Sequence, residues 1–190
     1  MGLNLVTRAE YKAYAGITSA TQDVIIDSII PKVSELVKSI CNRKFLDHVE
    51  ESLVEYYDGG TNSFALNEYP VLSVESVEYS SDFGNTYIPL VPFVDYALNI
   101  RTDSIMSISG REFPYKHNSF KITYTAGYEE LPADLKLCIL DLITYYIRND
   151  MAIHSNRAPG GNTVQIEYVT NTNLPAHIKR VLDLYTSSFL

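Results

Sequence analysis

Cysteine is scarce in this chain, with only Cys41 and Cys138 among 190 residues. Two thiols cannot build a disulfide scaffold, so a buried apolar core has to hold the fold. Long hydrophobic runs are missing as well: no window holds the ~18 uninterrupted apolar residues that a membrane helix needs. The opening Met1-Gly2-Leu3-Asn4-Leu5-Val6 has no export-signal pattern, and Val6 stands where myristoylation requires Ser or Thr. Positive charge is also in deficit. Lys and Arg number 15 against 23 Asp and Glu, a formal net charge of −8. A surface that holds nucleic-acid phosphates is basic, so the balance argues against gripping DNA as the main task. The expectation is a soluble, intracellular, reduced protein of one domain, or of one domain with a small annex. Its apolar fraction of 46% is enough for a globular core.

Catalytic patterns are equally sparse. The four histidines, His48, His117, His154 and His177, include no pair at metal-ligand spacing on one helix, and each reads as a surface histidine. Cys41 and Cys138 fall on or beside apolar helical faces with no evident cationic neighbour to stabilise a thiolate, so they read as small buried hydrophobes. Gly59-Gly60 and Gly160-Gly161 lack the lysine and spacing of a phosphate loop. Ser107-Ile108-Ser109-Gly110 lacks the first glycine of a nucleophile elbow, and Asp58 with Asn62 falls far short of a calcium loop. The adjacent pairs Glu50-Glu51 and Glu129-Glu130 would point to opposite faces of a strand, so solvated charge accounts for them. No residue set supports an enzyme, a metal site or a cofactor.

What is present divides into three stretches. Up to about residue 44 the chain reads as helical. Thr7-Arg8-Ala9-Glu10 has capping-box spacing, and its helix should stop near Gly16. Ser19-Ala20-Thr21-Gln22 repeats the signal before Val24, Ile25, Ile26, Ile29, Ile30, Val33, Leu36, Val37 and Ile40, which form one broad helical face. Pro31 lies inside it and predicts a kink or two abutting segments. Residues 45–128 change to alternation. Turn signals at Asp58–Asn62 and Asp82–Asn85 separate runs at 71–78, 96–100, 104–108 and 120–124. Nine of the fifteen tyrosines fall here, as suits half-buried strands joined by tight turns. From 129 to 190 helix returns. Pro132 opens a helix in which Leu135, Cys138, Ile139, Leu142, Ile143, Tyr146 and Ile147 line a wide apolar face. Asp134, Asp141 and Arg148 form its narrow polar seam. A Gly-rich segment, Ser155–Asn162, reads as a mobile loop, followed by a short apolar run at 164–169. A last helix starts near Pro175 after the capping candidate Asn173. The fold class is therefore α+β. N- and C-terminal helices (1–44 and 129–190) form a bundle, and an antiparallel β-rich insertion (45–128) projects from them.

The order of these segments resembles the phage head–tail connector proteins of the gp6-like adaptor, or head-completion, group. The resemblance runs through Leu5-Val6-Thr7 to Tyr14-Ala15-Gly16-Ile17, Cys41-Asn42-Arg43-Lys44-Phe45 and Tyr69-Pro70-Val71-Leu72-Ser73-Val74-Glu75-Ser76-Val77. Its most specific piece is Lys121-Ile122-Thr123-Tyr124-Thr125-Ala126-Gly127-Tyr128 followed by Leu131-Pro132-Ala133-Asp134-Leu135-Lys136. The resemblance implies a structural subunit of a virion neck, made in the host cytoplasm and carrying no catalytic site and no cofactor. It implies a homo-oligomeric, dodecameric ring beneath the portal protein, a docking surface for the next neck or tail protein, and a lumen through which DNA passes without specific binding.

The residue chemistry sits beside this with alternatives open. The broad apolar faces of 24–41 and 134–147 serve either ring packing, which needs heterologous contacts, or the monomer core. The acidic excess suits a lumen that DNA slides through, or simple solubility. Tyr185, Phe189 and Leu190 at the end of the chain are candidates for portal or subunit contact, against a frayed end. Arg157 and Asn162 in the Gly-rich loop are candidates through ordering on assembly, against an ordinary linker. Two other functions fit the composition: a tail-terminator or neck-closure protein that joins rings by sheet edges, and a small carbohydrate-binding module with tyrosine-rich strands as its stacking platform.

Overall fold

The computed structural model describes residues 2–155 and 174–187. The chain divides into two units, one built from Met1–Asn42 with Leu131–Ser188 and the other from Arg43–Glu130. The fold class is α+β, with helices toward both termini and strands between them.

In the helical unit the first capping box forms as read from sequence. Thr7 Oγ1 accepts the Glu10 N–H at 3.3 Å, the Glu10 carboxylate accepts the Thr7 N–H at 2.7 Å, and α1 (Arg8–Ala15) follows. Gly16 closes it in the left-handed region at φ +67, a conformation that glycine adopts without strain. The second hydroxyl signal does not become a cap. α2 (Asp23–Cys41) begins after Gln22 with no side-chain cap. Lys12 Nζ instead binds the Ser19 carbonyl at 2.8 Å and the Asp23 carboxylate at 2.7 Å, so the Ser19 segment is a turn pinned to α1. Nor does α2 divide into two segments at Pro31. Ile26, Ile30, Val33, Val37 and Cys41 form one buried stripe running across the proline, and its burial outweighs one missing backbone hydrogen bond.

α3 (Ala133–Ser155) runs eight residues beyond the apolar pattern that ended at Ile147. It touches α1, α2 and α4 (Ala176–Tyr185) and is the centre of the unit. Leu135, Ile139, Leu142 and Ile143 are fully buried on its wide face. Its polar seam fixes the neighbouring helices. Tyr14 of α1 donates to Asp141 at 2.5 Å, Tyr185 of α4 donates to Asp134 at 2.7 Å, and Lys136 pairs with Glu10. α4 starts after Pro175 without a side-chain cap; Asn173 lies outside the described residues.

The β unit holds two antiparallel sheets. One has the strand order β1 (Leu53–Tyr57), β7 (Phe120–Ala126), β3 (Val71–Tyr79), β4 (Ile88–Pro89). The other has the order β2 (Ser63–Ala65), β6 (Ser104–Ser107), β5 (Tyr96–Asn99). The long-range β3–β7 pairing is central, and β7 alternates buried and half-buried residues along its whole length. Register along β3 departs from simple alternation. Bulges between Val71 and Ser73 and between Val74 and Ser76 shift the pairing twice. As a result Val71, Val74, Val77 and Tyr79 stand opposite Ala126, Tyr124, Ile122 and Phe120, all on the core face. Plain alternation would have turned Val74 outward. Both sheets share one core, in which Phe64, Phe113 and Phe120 lie with ring centroids 4.7–5.0 Å apart. Phe64, Tyr96, Phe113, Phe120 and Tyr124 of the middle stretch are thus taken up in packing, while Tyr56, Phe83, Phe93 and Tyr115 stay exposed.

Candidate functional site

The most concentrated chemistry in the β unit surrounds Arg43, the residue after the α2 C-cap Asn42. Its side chain is wholly buried and that of Glu68 is 5% exposed, with Nε 3.4 Å from the Glu68 Oε1. Nη2 donates to the Tyr69 carbonyl. The guanidinium lies 3.5 Å from the Tyr69 ring centroid, 4.8 Å from that of Phe45 and 5.4 Å from that of Tyr128. These aromatic faces compensate part of the cost of burying the cation. The Glu68 carboxylate accepts the N–H groups of Lys44 at 2.8 Å and Phe45 at 3.1 Å. Its own N–H donates to the Tyr124 hydroxyl at 3.2 Å.

The strand leaving the unit closes on the same place. The Tyr128 N–H donates to the Phe45 carbonyl at 2.8 Å, the Gly127 N–H to the Pro70 carbonyl at 2.9 Å, and the Ala126 N–H to the His48 carbonyl at 2.9 Å. Gly127 sits at φ +116, and a Cβ there would lie 2.0 Å from the Phe45 oxygen, so only glycine permits this approach. Three distant segments, 43–48, 67–70 and 124–128, therefore form one clasp where the chain enters and leaves the β unit. Its charges are matched and buried and it exposes no nucleophile. It is equipped to brace the unit.

The opposite end of the four-stranded sheet is a tip of three loops. Gly59 donates to Lys116 at 3.0 Å and Ser80 to Ser119 at 2.7 Å. Asp58 accepts the Asn118 N–H at 2.7 Å and sits 2.9 Å from His117 Nδ1. The His117 hydrogen bond, then that of Asn118, holds the Asp58 carboxyl below the usual carboxylate range. In the neighbouring loop Asp82 is lowered to about 2 by the backbone and hydroxyl of Thr86 and by Ser80.

Of the residues singled out from sequence for partner contact, Arg157, Asn162, Phe189 and Leu190 lie outside the described residues. Tyr185 is half-buried and tied to Asp134, and the Ser187 N–H donates to the Cys41 carbonyl at 2.9 Å, so the chain is anchored as far as Ser187. Both cysteines are buried and in no disulfide, with Sγ atoms 3.6 Å from the carbonyls of Leu182 and Ile178. Burial pushes the Cys138 thiol up to about 12. His177 lies 3.9 Å from Asp141. Among the described residues no group of three or more His, Cys, Asp or Glu side chains could hold a metal, and no helix is long and apolar enough to cross a membrane.

A family profile described as "Head completion protein" matches residues 4–187. The chain belongs to the head completion protein family. A comparison with curated proteins finds no match. Similar solved structures come from gene transfer agent (GTA) particles. A chain from the neck of an empty particle, computed with C6 symmetry, has a TM-score of 0.58 at 14% identity, covering 100% of this chain and 97% of that one. A chain from the neck of a native particle, computed with C12 symmetry, has a TM-score of 0.57 at 15% identity, with the same coverages. A chain from the native GTA virion gives 0.57 at 12% identity, covering 98% and 91%. These likenesses establish a shared fold over the full length.

In this head completion family member, three of the segments that carried the sequence resemblance meet in the clasp. Arg43 and Phe45 come from the first, Tyr69-Pro70 from the second, and Tyr124, Gly127 and Tyr128 from the third. Glu68, which joins the first two, stands one residue before the quoted motif. Its position beside Tyr69-Pro70 was visible in the sequence, but its partner Arg43, 25 residues away, was not.

Proposed function

We propose that this chain is a structural subunit of a phage neck, repeated twelve times in a ring beneath the portal. There it lengthens the DNA channel and offers a docking surface to the next neck or tail protein. The observation that carries this reading is the family match across residues 4–187, which runs through both structural units. A chain of the same fold from a neck with C12 symmetry supports the ring. The role asks for rigid placement and not for reactive groups, and the buried clasp, the matched charges and the inert thiols suit it. The reading assigns the chain no catalytic group and no cofactor. A net charge of −8 suits a wall that DNA passes without adhering.

The test mixes the full chain with purified portal rings and images the product by electron microscopy. The expected result is one added ring with twelvefold symmetry on one end of the portal. A chain that neither co-purifies with the portal nor adds density to it would overturn the reading.

A further inference from the structure

The turn between β4 and β5 presents Phe93 in an unusual state. Its ring is 82% exposed, and its backbone is held at φ +60, a left-handed conformation unfavourable for a bulky side chain. The turn is rigidly made. Phe93 donates to the Tyr96 carbonyl at 2.8 Å, while Val94 and Asp95 both donate to the Val91 carbonyl, at 3.2 and 2.9 Å. The Asp95 carboxylate accepts the Val91 N–H at 2.8 Å, and Tyr96 anchors the turn in the core at 4% exposure. Val91 and Val94 belong to the same turn and are 53% and 66% exposed. Ile108, 47% exposed, adjoins them through its N–H bond to the Asp95 carbonyl at 3.3 Å. The fold therefore spends hydrogen bonds and backbone strain to hold the Phe93 ring in water, with the half-exposed Val91, Val94 and Ile108 close to it in the chain or through the turn.

We infer that the Val91–Val94 knob, with Phe93 at its tip, is the contact by which one copy of this chain docks on the next. This rests on the ring reading and names the surface that closes it. Copies that each carry a charge of −8 repel one another, so a contact that supplies apolar burial without adding charge favours their association. Val91, Phe93, Val94 and Ile108 carry none, and the Asp95 carboxylate is occupied by its own turn. A pre-formed knob also avoids the ordering cost that a flexible loop would meet on association. Phe83 is the informative contrast. It shares φ +60 and is 69% exposed, but the Lys116 ammonium lies 6.0 Å from its ring and its neighbour Asp82 is ionised, so its surroundings are charged.

The test is sedimentation velocity of the full chain over a range of concentrations, alongside Phe93→Gly, Phe93→Asn and Phe83→Ala, with a thermal melt of each. Both Phe93 variants accept the left-handed turn. The expected result is a subunit melting at or up to about 4 °C above wild type, since strain is relieved and no core contact is lost. Self-association of both should weaken by about tenfold or more, while Phe83→Ala assembles normally. Assembly of the Phe93 variants at wild-type strength would overturn the knob and leave the ring reading standing. A wild-type chain that stays monomeric throughout would overturn the knob as a contact between free copies and leave a ring built on the portal standing. A Phe93 variant that melts well below wild type would assign the ring to the fold and also overturn the inference.

Discussion

Replacing Glu68 by glutamine keeps the volume of the side chain and removes the charge at the centre of the clasp. The carboxylate accepts the Lys44 N–H at 2.8 Å and the Phe45 N–H at 3.1 Å and faces the Arg43 guanidinium as an ion pair, with Nε 3.4 Å away. Glutamine removes the negative charge that faces Arg43 and turns an NH2 group toward one of the two backbone N–H groups. An orphaned buried N–H costs about 1–3 kcal/mol. A buried guanidinium deprived of its counter-charge costs about 3–5 kcal/mol. The two costs overlap, and the rings of Tyr69, Phe45 and Tyr128 still shelter the cation, so about 3–5 kcal/mol is expected in total. For a chain of this length that is a fall in Tm of about 6–20 °C. Urea denaturation followed by far-UV circular dichroism reads the loss directly. Arg43→Met supplies the second arm of a double-mutant cycle. With the cation gone, Glu68→Gln should cost much less, giving a coupling of at least about 1 kcal/mol. A Glu68→Gln variant within about 1 kcal/mol of wild type, or strictly additive variants, would refute the clasp as a coupled unit.

Gly127→Ala should destabilise by about 2–4 kcal/mol, because its Cβ would lie 2.0 Å from a backbone oxygen. Gly16→Ala, with φ +67 and open space around it, should cost only about 1 kcal/mol; equal losses in denaturant titrations would contradict this account. Stability should fall on acidification. Hydrogen bonds lower Asp58, Asp82 and Asp134 below their ordinary range, and in Glu10 the Lys136 and Thr7 contacts overcome an opposing effect of burial. Each group therefore contributes above its unfolded pKa and loses that contribution as pH drops toward the folded value, so unfolding free energy should decline from about pH 5 toward pH 2. A rise over that window would count against the sign. Cys138, buried and with its thiol near 12, should resist a thiol reagent at pH 8 until denaturant is added, and rapid native-state labelling would show that the α3–α4 packing is wrong.

How much of this could be read beforehand depended on the range of the interaction. The Thr7–Glu10 box, the stop at Gly16 and the apolar stripes of α2 and α3 are local, set within three or four residues, and the structure reproduces them. The Ser19 signal failed because Lys12, seven residues earlier, took the Ser19 carbonyl for a tertiary turn. The proline in α2 failed to break the helix because a buried stripe extends on both sides of it. The short strands β2 and β4 carry too few residues to show alternation, and they exist through their pairing with β6 and β3.

The amino-acid sequence alone determined an acidic α+β chain with helices toward its ends and strands between, because charge, period and capping are properties of neighbouring residues. It also carried the match to the head completion family across residues 4–187. Only the tertiary structure decided that Arg43, Glu68 and Gly127 meet, that two bulges turn Val74 inward, and that Phe93 is held outward against its backbone preference. The first two depend on long-range pairing, above all of β7 with β3, enforced by burial that no local stretch of chain can supply, while the third is made by the backbone hydrogen bonds of the 91–96 turn, whose Tyr96 is buried in the core.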